Sequence, residues 1–323
     1  YNLAVDIYLN SSGSTPLPRD EVESAVTETI FASYDNATNG NKTRGGMRRA
    51  ADILEAFAPY FPKSVPFQQI GSLLSATHAL SFYSLTLQHG VPFQPVSIRV
   101  HHDPISLIEK VLEQNPKGYT QLDDLLAIGR NLVSAGLPSG HNDTRPTGQS
   151  QLTPDETTLS AERRIMSLAV AAAVNASDFD TAYSYVVTRV IPPSLLPGGD
   201  SSTDPAAAED DISWRAAYNT GRHRPTVKES QGTTLGSSIA RLSQRMELLS
   251  LALILAPSPE YLPEILAVWR RCDEEMSSLQ EQEIQEAESW DHQGDKGRMG
   301  ASALPGGFGP SGSELDALDT EWE

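Results

Sequence analysis

The chain has 323 residues, 39% of them apolar, with 24 Lys+Arg against 42 Asp+Glu and a formal net charge of −18. That apolar share suffices for a core and excludes wholesale disorder, while the scarcity of basic groups argues against nucleic acid or a polybasic membrane contact, since both need clustered Lys and Arg. The single cysteine, Cys272, excludes an internal disulfide and a cysteine-based zinc site, and it fits a reducing compartment.

The chain opens on Tyr1 in an already apolar pattern and reads as a piece of a larger protein. Arg19 to Tyr34 places Val22, Val26 and Ile30 on one helix face. Met47 to Phe61 repeats the pattern with Met47, Ala50, Leu54, Phe57 and Phe61. Ser64 to Ile98 contains no Asp, Glu, Lys or Arg, yet Ser72, Ser75, Thr77, His78, Ser81, Ser84 and Thr86 make it too polar for lipid. A buried helix is expected there. Val96 to Val100, beside Pro92 and Pro95, reads as an extended connector.

Asp103-Pro104 is a helix start, an N-cap with Pro at N1, followed by Ile105, Ile108 and Leu112 on one face. Thr120 and Asp123 resemble a capping box ahead of Leu122, Leu125, Leu126, Gly129, Leu132 and Val133, with Gly136 as the C′ stop. Thr153-Pro154 starts a long helix to about Ala176, and its Ala169, Ala172 and Ala173 predict a close helix contact. Ser177 or Asp178 caps a second helix carrying Phe179, Ala182, Val186 and Val190, ended by Pro192-Pro193. The pair is an antiparallel helical hairpin.

Further helices are predicted from Glu209 to Asn219, from Thr234 to Leu255, and from Pro259 onward. The second carries the stripe Ile239, Leu242, Met246, Leu249 and Leu253, and its end, Leu248 to Leu255, is apolar on all sides and expected to be buried all round. The third carries Leu262, Ile265, Leu266, Trp269, Cys272, Met276 and Leu279. Gly/Ser/Pro/Asn-rich linkers are expected at 35–46, 138–152, 194–208 and 220–233. Residues 273–323 hold 14 acidic and 2 basic side chains, so the acidity belongs mostly to the tail, and residues 291–323 are expected to be disordered. The fold predicted is all-α: an elongated α-solenoid of antiparallel hairpins over 1–290, then an acidic tail over 291–323.

No motif carries an enzyme's chemistry. His101-His102-Asp103 lacks the spacing of a metal site, and Gly307 to Gly312 matches a dinucleotide fingerprint without the strand and helix it requires. Cys272 sits on an apolar stripe and reads as an inert core thiol. The sequons at Asn10, Asn36, Asn41, Asn142 and Asn175 read as chance. Arg222-His223-Arg224 is a short basic loop. Glu274, Glu275, Glu281, Glu283, Glu286 and Glu288 form a solvated charge run. Arg270 and Arg271, next to Trp269, are the candidate partner-binding residues, although i,i+4 pairing with Glu274 and Glu275 would also account for them. No catalytic residue, cofactor or metal is expected.

Several stretches resemble one family. They are Ile98-Arg99, Asp103 to Ile108, Leu112 to Pro116, Tyr119 to Gly129, Ala161 through Tyr183, Trp214 to Tyr218, Arg245 to Ser250, and Leu262 to Cys272. Together they resemble the C-terminal part of the Sec-thirty-nine domain, shared with the neuroblastoma-amplified-sequence protein, in a filamentous-fungal style. The resemblance implies a helical scaffold of the Dsl-one tethering complex, peripheral to the cytoplasmic face of the endoplasmic reticulum. Such scaffolds help capture vesicles returning from the Golgi. It also implies two partners: the central Dsl-one subunit, related to the zeste-white-ten protein, and the N-terminal domain of the SNARE Use-one. The residues alone leave open a generic helical-repeat adaptor of another complex.

Overall fold

The structure, a computed structural model, describes residues 1–9, 17–87, 93–138, 154–191, 211–224 and 234–300. Most of the three later linkers lies outside these residues, as do Asn10, Asn142, Gly307 to Gly312 and residues 301–323. Among the described residues the regular elements are helices only, confirming the all-α prediction. In chain order α1 is Asn2–Tyr8, α2 Arg19–Asp35, α3 Gly45–Phe57, α4 Val65–Leu80, α5 Val96–Val100 and α6 Ser106–Gln114. Then come α7 Leu122–Ser134, α8 Pro154–Asn175, α9 Phe179–Tyr185, α10 Asp211–Gly221, α11 Leu235–Leu255 and α12 Leu262–Gly300.

Val22, Val26 and Ile30 are buried on α2, as their spacing predicts. Two contacts set the direction of its neighbours. Ser64 caps α4 by accepting the Phe67 N–H at 3.1 Å, and its hydroxyl donates to Glu23 at 2.6 Å. At the other end the Tyr34 hydroxyl pairs with Thr77 at 2.9 Å. Start meets start and end meets end, so α2 and α4 run parallel with α3 returning between them. Pro59 ends α3 at Phe57, and a 3-10 turn over Ala58–Tyr60 follows, so Phe61 falls beyond the helix that its spacing predicted. The uncharged stretch is a buried helix as expected: α4 buries Phe67, Ile70, Leu73, Leu74, Ala76 and Leu80. Among the described residues no helix is long and apolar enough to cross a membrane.

Three local readings are corrected. Val96–Val100 is a short helix, not an extended connector: Pro95 sits in the helical region at φ −52°, and one turn suffices to bury Ile98. Asp103 does not cap α6. Its carboxylate receives Arg164 of α8 in a two-pronged ion pair, with one hydrogen bond of 3.0 Å, and helical bonding begins through its backbone carbonyl instead. A charged partner outcompetes a backbone N–H for a carboxylate. Thr120 makes no capping box either, because it lies in a 3-10 turn, Gly118–Gln121, and its hydroxyl donates back to the Lys117 carbonyl at 2.8 Å. Gly136 behaves as predicted, ending α7 at φ +72°.

Serial packing continues along the chain. Tyr83 bonds Gln121 while Gly136 lies against Gln69, so α7 runs antiparallel to α4. Gly129 faces Ile165 and Tyr119 bonds Asp178, so α8 runs antiparallel to α7. Pro154 opens α8 at N1; Thr153 lies outside the described residues. Asp178 then caps α9 by accepting the Thr181 N–H at 3.1 Å, and Ser177 turns the chain at φ +60°. Phe179, Ala182, Val186 and Val190 are all buried, as predicted, though the helix finishes as a π turn over Val186–Val190.

The alanine expectation is met at two positions of three. Ala169 and Ala173 are fully buried, whereas Ala172 is only half-buried. Ala173→Leu is therefore expected to overpack the hairpin at a cost of about 1–3 kcal/mol. Ala172→Leu should cost clearly less, and urea denaturation midpoints of the two variants would check the difference.

The Trp214 and Tyr261 rings meet at a tilt, 4.5 Å apart, and Tyr218 bonds Glu264, so α10 and α12 run parallel. Between them α11 returns, with Arg245 reaching Gly221 and Ser250 bonding Trp269. Leu248, Leu249, Leu251 and Ala252 are buried, but Ile254 is 67% exposed, so the end of α11 is not buried all round. Packing in series covers a helix on the sides where neighbours stand and leaves the remaining side open. Leu266 is exposed as well, leaving Ile265 and Cys272 as the buried residues of the α12 stripe. The predicted tail begins at 291, yet α12 continues through its first ten residues to Gly300. A formed helix gains one hydrogen bond per added residue, and an interior glycine costs only about 1 kcal/mol.

Candidate functional site

The C-terminal helices hold the residues singled out as partner contacts. Trp269 is half-buried against the core, with its indole N–H donating to Ser250 at 3.2 Å. It pins α12 to α11. The next two residues, Arg270 and Arg271, are exposed. The i,i+4 pairs expected with Glu274 and Glu275 do not form: among the described residues neither arginine has a carboxylate within ion-pairing distance. The base-first order is the weaker orientation of an i,i+4 pair. Arg271 instead lines a cavity of about 370 Å³ between α10, α11 and α12, together with Tyr218, Arg222, Arg224, Arg245 and Glu264. The structure thus separates the two arginines.

Arg222 and Arg224 come from the basic loop after α10 and are exposed, with the Arg222 guanidinium over the Tyr218 ring at 5.2 Å. Arg245 is only 3% exposed. The Tyr218 hydroxyl donates to Glu264 at 2.7 Å. Burial pushes the Tyr218 phenol up from its ordinary value, and the bond to Glu264 adds to the rise. Burial also raises the Cys272 thiol; Arg245 opposes, Glu275 adds to the rise, and Arg224 opposes. Cys272 is 2% exposed and sits on the packed face of α12, in keeping with a core thiol.

Arg245 escaped the sequence reading. Its signal was present: it stands three residues after Leu242 and four before Leu249, a charge inside an apolar face. A second, larger cavity of about 540 Å³ lies across the 222–224 loop, against Val170 and Val174 of α8. His223 lines it, and its Nε2 is buried without a hydrogen-bond partner.

The remaining candidates have local explanations. The His101 and His102 rings stack 5.1 Å apart, and His101 Nδ1 accepts the Asp103 N–H, which leaves nothing converging on one ion. Among the described residues no group of His, Cys, Asp and Glu is placed to hold a metal. Asn41 closes a turn, its side chain accepting both the Thr43 N–H and the Thr43 hydroxyl at 2.9 Å. Past Cys272, α12 carries its acidic run on exposed surface and presents Ile284 and Trp290, 59% and 74% exposed.

Two comparisons with known proteins place this serially packed stack of helices. The fission yeast Schizosaccharomyces pombe protein described as "Protein transport protein sec39" is 27% identical over 133 residues, which are 41% of this chain and 17% of the yeast protein. The chain therefore matches only a minor part of that relative's length. The family described as "Secretory pathway protein Sec39" matches residues 1–290, nearly all of the described structure. This family is a protein-transport component of the secretory pathway, and the chain belongs to it.

Proposed function

We propose that this chain is a non-catalytic scaffold in a vesicle-tethering complex of the Dsl-one type, acting in Golgi-to-ER retrograde transport at the cytoplasmic face of the endoplasmic reticulum. The observation that supports the reading most is the Sec39 family match across 1–290 on an all-helical stack. A scaffold works through broad contacts spread over several helix faces, and stacked helices supply such faces without a pocket. In this reading the partners are the central tether subunit of the zeste-white-ten type and the N-terminal domain of the SNARE Use-one. Attachment to the membrane runs through those partners. Arg270 and Arg271 lie on the contact, with Trp269 holding α12 rigid behind them.

The test is a pull-down with this chain as bait against the two purified partners. Binding of at least one is expected, and Arg270→Glu with Arg271→Glu should weaken it about tenfold or more, since reversing a contact charge juxtaposes like charges. A folded chain that binds neither partner would overturn the tether reading. Binding unchanged by the double reversal would remove only the arginines from the contact.

A further inference from the structure

We propose that the cavity between α10, α11 and α12 binds a phosphorylated small molecule or headgroup through Arg222, Arg224, Arg245 and Arg271. The carrying observation is Arg245. A buried guanidinium is costly unless its charge and donors are met. Yet its only hydrogen bond among the described residues runs from Nε to the Gly221 carbonyl, at 3.0 Å. Among the described residues no carboxylate stands within ion-pairing distance of it, and its remaining donors have no protein acceptor and open onto the cavity. A side chain 3% exposed lines the floor of an open cavity with an unanswered charge.

Among the described residues the other three arginines are likewise without ion pairs. Three arginines elsewhere are answered by carboxylates: Arg99 by Asp35, Arg130 by Glu162 and Arg164 by Asp103. In the cavity the one carboxylate, Glu264, is engaged by the Tyr218 hydroxyl. Four guanidinium groups against one carboxylate leave a surplus of three positive charges in a protein whose net charge is −18.

That surplus selects among anions. A single carboxylate carries one charge and two acceptor oxygens. A phosphate group near neutral pH carries about −1.5 to −2 and three acceptor oxygens. The planar fork of arginine donates to such oxygens in pairs. The cavity, about 370 Å³, falls within the size range of small-molecule sites. It suits a phosphorylated headgroup or metabolite better than a folded peptide segment.

The experiment uses the 323-residue chain. Thermal unfolding is followed while inorganic pyrophosphate is titrated at constant ionic strength balanced with NaCl. A saturating rise in Tm is expected. Arg222→Glu with Arg224→Glu, both on exposed loop positions, should keep the ligand-free Tm and weaken the response at least tenfold. Arg245→Gln should abolish the response while leaving the ligand-free Tm unchanged or higher, because it removes a buried unpaired charge. A residue that served only the fold would lower that Tm and spare the response. No saturable response, an undiminished response in the loop variant, or an equal response to a glutamate peptide of matched charge would each overturn the proposal. Phosphatidylcholine vesicles containing phosphatidylinositol 4-phosphate distinguish the sources. Co-sedimentation competed by pyrophosphate supports a lipid headgroup, and a response to pyrophosphate alone supports a soluble phosphorylated molecule.

Discussion

Gly46→Ala is expected to destabilise the chain by about 3 kcal/mol, the upper part of the range for overpacking. Gly46 lies at the start of α3, where the chain returns along α2. A Cβ there would stand 2.3 Å from the Ser33 carbonyl oxygen and 3.0 Å from the Ala37 Cα. Both are backbone atoms, so no rotamer change relieves the clash and the two helices must separate. Two controls isolate this effect. Gly45 has open space around it but a φ of +56°, so Gly45→Ala meets only the left-handed backbone penalty, about 1–2 kcal/mol. Gly236, in the first turn of α11, also has open space, and Gly236→Ala should be neutral or slightly stabilising. Urea unfolding of the three variants would rank them, and a Gly46 variant no worse than the Gly236 variant would show that α2 and α3 are not so close.

Arg164→Leu is expected to cost about 3 kcal/mol through Asp103. The Asp103 side chain is 11% exposed and the Arg164 side chain 35% exposed. Removing one partner of a buried pair costs about 3–5 kcal/mol, because the other charge stays buried and uncompensated; the partial exposure of Arg164 places this pair at the low end. The mechanism predicts its own rescue. With Asp103→Asn added, the stranded charge is gone, and the double variant should be more stable than Arg164→Leu alone. If the double variant is less stable by the sum of the two single losses, the arginine acts by packing its stem, not by answering Asp103. The pair joins the segment before α6 to α8, so its loss should show first as faster amide exchange in α6.

The two arginines beside Trp269 show why the candidate site was only half legible. Their sequence context offered an outward-facing role and a local i,i+4 explanation; the second does not form, and neither shows that Arg271 also lines a cavity. Its actual neighbours, Arg222, Arg224 and Arg245, come from a loop and a helix that are remote in sequence. Asp103 failed in the same way. As a local reading it was an N-cap, and its partner lies 61 residues along the chain.

The sequence by itself determined the helical class, most helix positions and most buried stripes. Those properties rest on short-range physics: a 3.6-residue period, prolines that open or end helices, a cap such as Asp178, and Gly136 at a positive φ. Only the tertiary structure decided which stripe meets which. It left Ile254 and Leu266 uncovered, brought Gly46 against the Ser33 carbonyl, and gathered four arginines around one cavity with a buried one at its floor. The physical reason is that a side chain's electrostatic and steric neighbours are fixed by how whole helices stack. One residue's local pattern is compatible with many such stackings.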